Sequence, residues 1–274
     1  MISDKIVENE SRELIQRQFG LNPDSYATSP VHAKGASLNR LIDAIELKPE
    51  WYVLDISTGA GHTAHTLAPY VRRVVASDLT FGMLKTTMRL ASRKGLINLD
   101  MCSATADQLP YHAESFDLVT CRIAAHHFPS IQAFMADSIR VLRSGGLLAV
   151  IDNIVPGSVH SRKKTSRLED VGRYLNAFEK LRDPSHARTL SQDEWFEAYY
   201  QNGVRIVHHE TIEKQLDLDS WAQRMMVSDD NLTRLKSMAR QAPSRALDYL
   251  NPQYLGERIL FNLTEIILIG IKEQ

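Results

Sequence analysis

Apolar residues recur along this chain in two alternating rhythms. Segments near 51–56, 72–77, 98–103, 115–121 and 146–152 read as strands. Between them, 60–69, 80–94 and 131–143 carry apolar positions at helical spacing. Strand–helix alternation predicts a parallel sheet with helices on both faces, an α/β doubly wound architecture. Gly145-Gly146 supplies the turn into the fifth strand. Upstream, residues 4–18 predict an amphipathic helix with Ile6, Leu14 and Ile15 on its apolar face. Residues 19–35 read as a loop, and Leu38–Leu47 as a helix that Pro49 ends.

After Pro156 the pattern changes. Residues 160–182 are polar and helical, and Arg162-Lys163-Lys164 with Arg167 reads as a solvated helix face. Ser191 with Glu194 three residues on predicts a capping box for a helix to about Asn202, stopped by Gly203. Trp195, Phe196, Tyr199 and Tyr200 fit core or interface spacing on that helix. Val204–His208 reads as a strand, 217–250 as helical and charged, and Phe261–Ile271 as the last strand.

The most informative stretch is Val53-Leu54-Asp55-Ile56-Ser57-Thr58-Gly59-Ala60-Gly61-His62-Thr63-Ala64, answered by Val74-Val75-Ala76-Ser77-Asp78. A buried strand reaches an acid, enters a glycine turn and opens a helix; the next strand also ends in an acid. Such a unit builds a nucleoside site at the carboxyl edge of a parallel sheet. The glycines permit positive φ and close approach of a ligand to the backbone. Asp78 stands where an acid accepts hydrogen bonds from a ribose diol, although it also suits capping of the helix beginning at Thr80. Gly59-x-Gly61-x-x-Ala64 partly fits a dinucleotide fingerprint, so an NAD(P)-dependent oxidoreductase is one alternative. Asp55 points elsewhere: an acid beside the turn repels a diphosphate and suits an ammonium. S-adenosylmethionine (SAM) is a nucleoside that carries one.

In order and spacing, a longer set resembles the class I SAM-dependent methyltransferases, the large family that includes the ubiquinone/menaquinone-biosynthesis C-methyltransferases. It comprises Val53–Gly61, Ser77–Leu84, Thr105-Ala106-Asp107-Gln108-Leu109-Pro110-Tyr111, Ser115–Arg122, His126-His127-Phe128 and Arg140–Leu148. The resemblance covers roughly residues 26–155 strongly. It implies a Rossmann-like, mostly parallel seven-stranded sheet whose last strand runs antiparallel inside it. It makes 156–190 and 210–255 helical insertions beside the active site, within a single domain covered by residues 1–48. Two departures stand out: Ser57 replaces the first glycine of the family's turn, and Thr105 stands where an acid usually binds the adenine amino group. Ser57 can serve if its backbone stays in a common region.

The implied cofactor site is Asp55, Ser57, Thr58, Gly59 and Gly61 for the methionine part, Asp78 for the ribose, and Leu79, Met83, Thr105, Ala106 and Asp107 around the adenine. Arg122 follows the fourth strand, and Tyr26 lies in the N-terminal segment expected to fold over the cofactor. His32, Asp152 and Asn153 are the candidate acceptor contacts. His126 and His127 are the candidate bases, since histidine can take a proton near neutral pH. Adjacent side chains point in different directions, so at most one should face the substrate; either could instead be a hydrogen-bonded histidine shaping the loop. Neither these nor His62, His65, His208 and His209 show zinc-ligand spacing.

Bulk properties narrow the class. A net charge of -1 over 274 residues gives no general attraction for nucleic acid or anionic membrane. Only Cys102 and Cys121 are present, which suits a reducing cytoplasm. The longest apolar run, Ile266–Ile271, is too short to span a bilayer. The expectation is a cytoplasmic SAM-dependent methyltransferase acting on a small molecule, with helices after 210 that could pair two chains. A SAM-binding protein without catalysis is the other alternative.

Overall fold

The computed structural model describes residues 2–20, 35–157 and 165–273. Tyr26, His32 and the run Arg162-Lys163-Lys164 lie outside the described residues.

Helix α1 (Ile2–Gly20) comes first, then α2 (Ala36–Asp43). Helix α2 stops before the predicted Leu47, with Ala44 as its C-cap, so Pro49 falls in the following turn rather than ending the helix. The core alternates as read: β1 (Tyr52–Ile56), α3 (His62–Leu67), β2 (Arg73–Asp78), α4 (Phe81–Arg93), β3 (Leu99–Ser103), β4 (Phe116–Arg122), α5 (Ile131–Val141) and β5 (Leu142–Ile154). Strand β1 is buried on both faces, as a parallel strand covered by helices must be. Ser130 starts α5 by accepting a hydrogen bond from the Ala133 N–H at 3.1 Å.

Past β5 come α6 (Thr165–Arg182), α7 (Gln192–Gln201), β6 (Val204–Asp217), α8 (Leu218–Gln223), α9 (Asp229–Gln241), α10 (Ser244–Leu250), β7 (Gln253–Leu255) and β8 (Arg258–Lys272). The Ser191/Glu194 capping box is present. The helical 217–250 segment is divided into three helices by the 224–228 turn and Pro243.

The sheet order is β3-β2-β1-β4-β5-β8-β6, with β7 paired on β8. Strands β1 to β5 are parallel, and β8 runs antiparallel between β5 and β6. The seven-stranded path matches expectation; β7 is an addition, a short hairpin arm. Strand β6 runs nine residues beyond the predicted His208, so the start of the expected helical insertion at 210 is strand. Its register against β8 continues to Asp217↔Leu260. Alternating polar residues on its exposed face hid that length from an apolar-run reading.

Two apolar layers sandwich the sheet, one around Phe134, Trp195 and Tyr199, the other around Leu41, Leu67 and Val74. Tyr200 is exposed, while Trp195 and Tyr199 are core. A third cluster lies beyond the sheet, where α6, α8, α9 and α10 pack on the far ends of β6 and β8. Its centre is a ring trio: Phe178 stacks on Trp221 at 5.1 Å, and Phe261 meets Trp221 edge-on at 5.0 Å. Truncating such a fully buried ring costs about 3–5 kcal/mol. This lobe stands over the carboxyl ends of the parallel strands.

The strand order reverses between β1 and β4, the chain running outward through β2 and β3 on one side and β5 on the other. Ligands of open α/β sheets bind outside the strand ends at such a point.

Candidate functional site

One cavity opens at that reversal. Its near half is built from the β1 and β2 ends, its far half from the lobe, and α1 lies across both.

In the near half the chain leaves β1 through a turn of left-handed residues: Ser57 at φ 52°, Gly59 at 56° and Gly61 at 82°. Ser57 therefore does not keep to a common backbone region; it occupies the glycine conformation that the family's pattern would place there. Gly61 is required for packing. A Cβ there would stand 2.4 Å from Thr87 Cγ2 and 2.8 Å from the His65 ring. Gly59 is different: nothing lies within 4 Å of where its Cβ would be, and it lines the cavity. Gly61 itself is not on the cavity wall and acts on the turn's shape.

Asp55 is buried and accepts from the hydroxyls of Thr58 at 2.6 Å and Thr120 at 2.7 Å. Burial pushes its carboxyl up to about 6, against those hydrogen bonds and the nearby Arg122 charge. Asp78 accepts from the Gly59 N–H and the Thr80 N–H, each at 2.8 Å. It thus ties the β2 end to the glycine turn, and each oxygen keeps a lone pair for a ligand. Burial raises its carboxyl above the ordinary range. Ser57, Thr58, Leu79, Met83, Thr105, Ala106, Asp107 and Arg122 complete the near wall. The Arg122 Nε–H donates to Thr63 Oγ1 at 3.1 Å.

Helix α1 reaches the same wall. Arg12 donates to both Asp107 oxygens at 3.2 and 2.9 Å, and Gln16 donates to the Leu79 carbonyl at 3.3 Å. Further along, Phe19 meets His127 edge-on at 5.1 Å, and Gln18 donates to the Met225 carbonyl. Arg12, Ile15 and Phe19 all line the cavity, at the spacing of one helical face.

At the junction of the two halves stand His126 and His127, on a single 3₁₀ turn after β4. Both line the cavity, with ring centroids 4.2 Å apart, contrary to the expectation that only one could face it. The tight turn points consecutive side chains to the same side. Asp152 is not on the wall; it lies behind His126, receiving its backbone N–H at 2.8 Å and its Nδ1–H at 2.6 Å. A carboxylate only accepts, so Nδ1 carries the proton and the lone pair is on Nε2. Burial opposes a charge on His126, but the Asp152 carboxylate and hydrogen bond, with Glu179 and Asp183, override it and hold the imidazole above its usual value. His127 goes the other way: burial and the neighbouring His126 lower it to about 4. Its Nδ1–H donates to the Ser185 carbonyl at 3.2 Å. Asn153, the candidate acceptor contact, does line the cavity.

The far half holds residues that sequence reasoning missed. Glu179 and Asp183 come from the end of α6 and just beyond it, Lys214 from β6, and Leu216, Trp221 and Leu263 form an apolar wall. One signal was available for Glu179. Val171, Leu175 and Phe178 make the buried stripe of α6, and Glu179 falls on it one turn after Leu175. An acid on an apolar stripe is a departure from amphipathic pattern. Among the described residues no group of three or more His, Cys, Asp or Glu side chains could hold a metal, and no helix is long and apolar enough to cross a membrane.

The site fits a SAM-type ligand on its own geometry. It offers an open backbone face at Gly59, an acid at each of the first two strand ends, and an apolar slot beside Leu79 and Met83.

Comparison with known proteins agrees. The family model described as a methyltransferase domain matches residues 54–150. The chain is 31% identical over 258 residues to the uncharacterized methyltransferase YcgJ of Bacillus subtilis (strain 168), covering 93% of this chain and 97% of that one. The solved structure of that protein superposes with a TM-score of 0.77 over 87% of this chain and 98% of its own. A structure from Bacillus halodurans C-125, named as a candidate methyltransferase, gives a TM-score of 0.80 at 30% identity, covering 88% of this chain and 100% of that one. The ubiquinone/menaquinone biosynthesis C-methyltransferase UbiE of Rhizobium meliloti (strain 1021) is 31% identical over 109 residues, 38% of this chain and 42% of that one.

Proposed function

The chain belongs to the class I SAM-dependent methyltransferases, and from that premise we propose that it methylates a small molecule with His126 as general base. The observation that carries this reading is His126, on the wall between the cofactor turn and the far half of the cavity, joined at 2.6 Å to Asp152 behind it.

When bound, SAM supplies an already activated sulfonium methyl for in-line displacement, leaving as S-adenosylhomocysteine. Gly59 and the Asp55–Thr58 pair would hold the methionine part, Asp78 the ribose, and Leu79, Met83, Thr105, Ala106 and Asp107 the adenine. Alignment of two bound reactants is worth up to ~7–11 kcal/mol, so the chain's main contribution is orientation. Helix α1 excludes water by spanning both halves. An acceptor that must lose a proton as it attacks gives it to His126 Nε2; Asp152 fixes the tautomer and stabilises the imidazolium that forms. The proton then leaves to solvent when the site opens. His127, held neutral by burial, is the poorer base. The approach of a small neutral acceptor also fits the chain's net charge of -1, which favours no polyanionic partner.

Isothermal titration with SAM, S-adenosylhomocysteine and NADH, on the wild type and Asp78→Ala, tests the cofactor assignment. Binding of the first two, lost in the variant, is the expected result. Binding of NADH alone would overturn it. A screen of small acceptors with isotopically labelled SAM then tests turnover, and SAM binding without methylation of any acceptor would favour a non-catalytic role.

A further inference from the structure

Five carboxylates line the cavity: Asp55, Asp78, Asp107, Glu179 and Asp183. Four have hydrogen-bond donors. Asp55 takes Thr58 and Thr120, Asp78 takes two backbone N–H groups, Asp107 takes Arg12, and Asp183 takes the N–H and hydroxyl of Ser185. Among the described residues, Glu179 alone of the five has no donor within hydrogen-bonding distance; the nearest described cation is the Arg182 guanidinium at 4.0 Å, although Glu179 is only 6% exposed. Glu179 lines the cavity, so a donor on a bound molecule can reach its carboxyl group and supply the missing partner. The wall beside it is also short of donors, for Asn153 Oδ1 is buried and unpartnered.

The cations around it are already engaged. Lys214 donates to Glu265 at 2.6 Å. Arg182 donates through Nε to the Trp221 carbonyl at 3.0 Å, and its guanidinium lies over the Trp221 ring at 4.5 Å. An anionic acceptor would have to face Glu179 and Asp183. A cationic one would face Lys214 and Arg182. A neutral molecule that brings its own hydrogen-bond donor meets neither repulsion. Leu216, Trp221, Met225 and Leu263 offer an apolar surface for the rest of it.

We propose that Glu179 is the specificity residue of the acceptor site, accepting a hydrogen bond from a hydroxyl of a neutral, partly apolar acceptor. The inference rests on the methyltransferase reading above and names the acceptor class for that same cavity. Glu179 selects the acceptor and His126 takes the proton, so acceptor binding measured without turnover reads the first role alone.

The test uses the full chain saturated with S-adenosylhomocysteine and a matched set of fragments: phenol, catechol, anisole, benzoate and benzylamine. Binding is read by ligand-observed NMR. Phenol and catechol should bind at least tenfold more tightly than the other three, the size of a hydrogen bond made to a buried acceptor that is otherwise unpaired. Glu179→Leu should abolish that preference, and Glu179→Gln, which keeps an acceptor oxygen, should retain part of it. Affinity for S-adenosylhomocysteine, measured in each sample, reports that the variants are folded. Intact cofactor-product binding with no hydroxyl preference, with a preference for benzoate or benzylamine, or with a preference that survives in Glu179→Leu, overturns this inference alone. Failure of the wild type to bind S-adenosylhomocysteine overturns the methyltransferase reading and this inference with it.

Discussion

Asp152 holds His126 twice, through the backbone N–H at 2.8 Å and the imidazole Nδ1–H at 2.6 Å. The two bonds fix both where the turn sits and which ring nitrogen bears the proton. They come from β5, the strand next to the one that leads into the histidine turn, so the pair is as rigid as the sheet.

That relationship sets the pH dependence. The His126 imidazole titrates above its usual value because the carboxylate outweighs burial. A base must be neutral to act, so the rate should fall as pH drops through that raised value. Asp152→Asn removes the charge and should move the acid limb to lower pH while reducing kcat. His126→Gln should lower kcat by ~10²–10⁴-fold and flatten the limb. A pH–rate profile of the three proteins checks this; an unaltered limb in His126→Gln would exclude His126 as base.

The glycine turn contains two left-handed residues whose replacements should act in opposite directions. Ser57→Gly relieves a conformation that costs an L-residue about 1–2 kcal/mol, against a smaller loss from a freer unfolded chain. A net stabilisation of up to about 1 kcal/mol is expected. Gly61→Ala imposes the same backbone penalty and drives a Cβ into Thr87 and His65, so a loss of about 1–3 kcal/mol or more is expected. Urea denaturation midpoints report both.

Helix α1 is held to the cofactor half by Arg12–Asp107, a partly exposed pair. Such a pair contributes about 0.2–1 kcal/mol. Arg12→Ala should therefore leave global stability nearly unchanged while increasing amide hydrogen exchange within α1. Unchanged exchange there would show that the pair does not hold the helix down.

His65 is buried beneath the glycine turn and donates through Nε2 to the Thr87 carbonyl at 3.0 Å. Burial, then the charge of Lys94, lowers it to about 4 from 6.5. The unfolded chain binds this proton first. Its contribution to stability is thus present above pH 6.5 and is lost as pH falls from there through about 4. His65→Gln should flatten the wild type's pH dependence of unfolding free energy across that window. Equal slopes in the two proteins would show that His65 does not titrate in this way.

Local pattern carried the parallel core, because β1, β2 and β4 are largely buried and rich in apolar residues, with turn and helix signals between them. The same is true of the turn and the acids at the β1 and β2 ends, since Gly59, Gly61 and Asp78 are chemically marked and lie within 20 residues of one another. Strand β6 was read short because its exposed face alternates polar residues for nine positions past His208. The left-handed Ser57 was also hidden, since serine gives no sign of the backbone it adopts. The rest of the site depends on contacts between distant parts of the chain: Asp152 behind His126, Lys214 of β6 on the same wall as Glu179 of α6, and Arg12 on Asp107 at a separation of 95 residues. Sequence spacing reports hydrogen-bond periodicity within an element and chemistry within a turn. Which charged side chain finds a partner, and which is buried without one, follows only from how the elements pack.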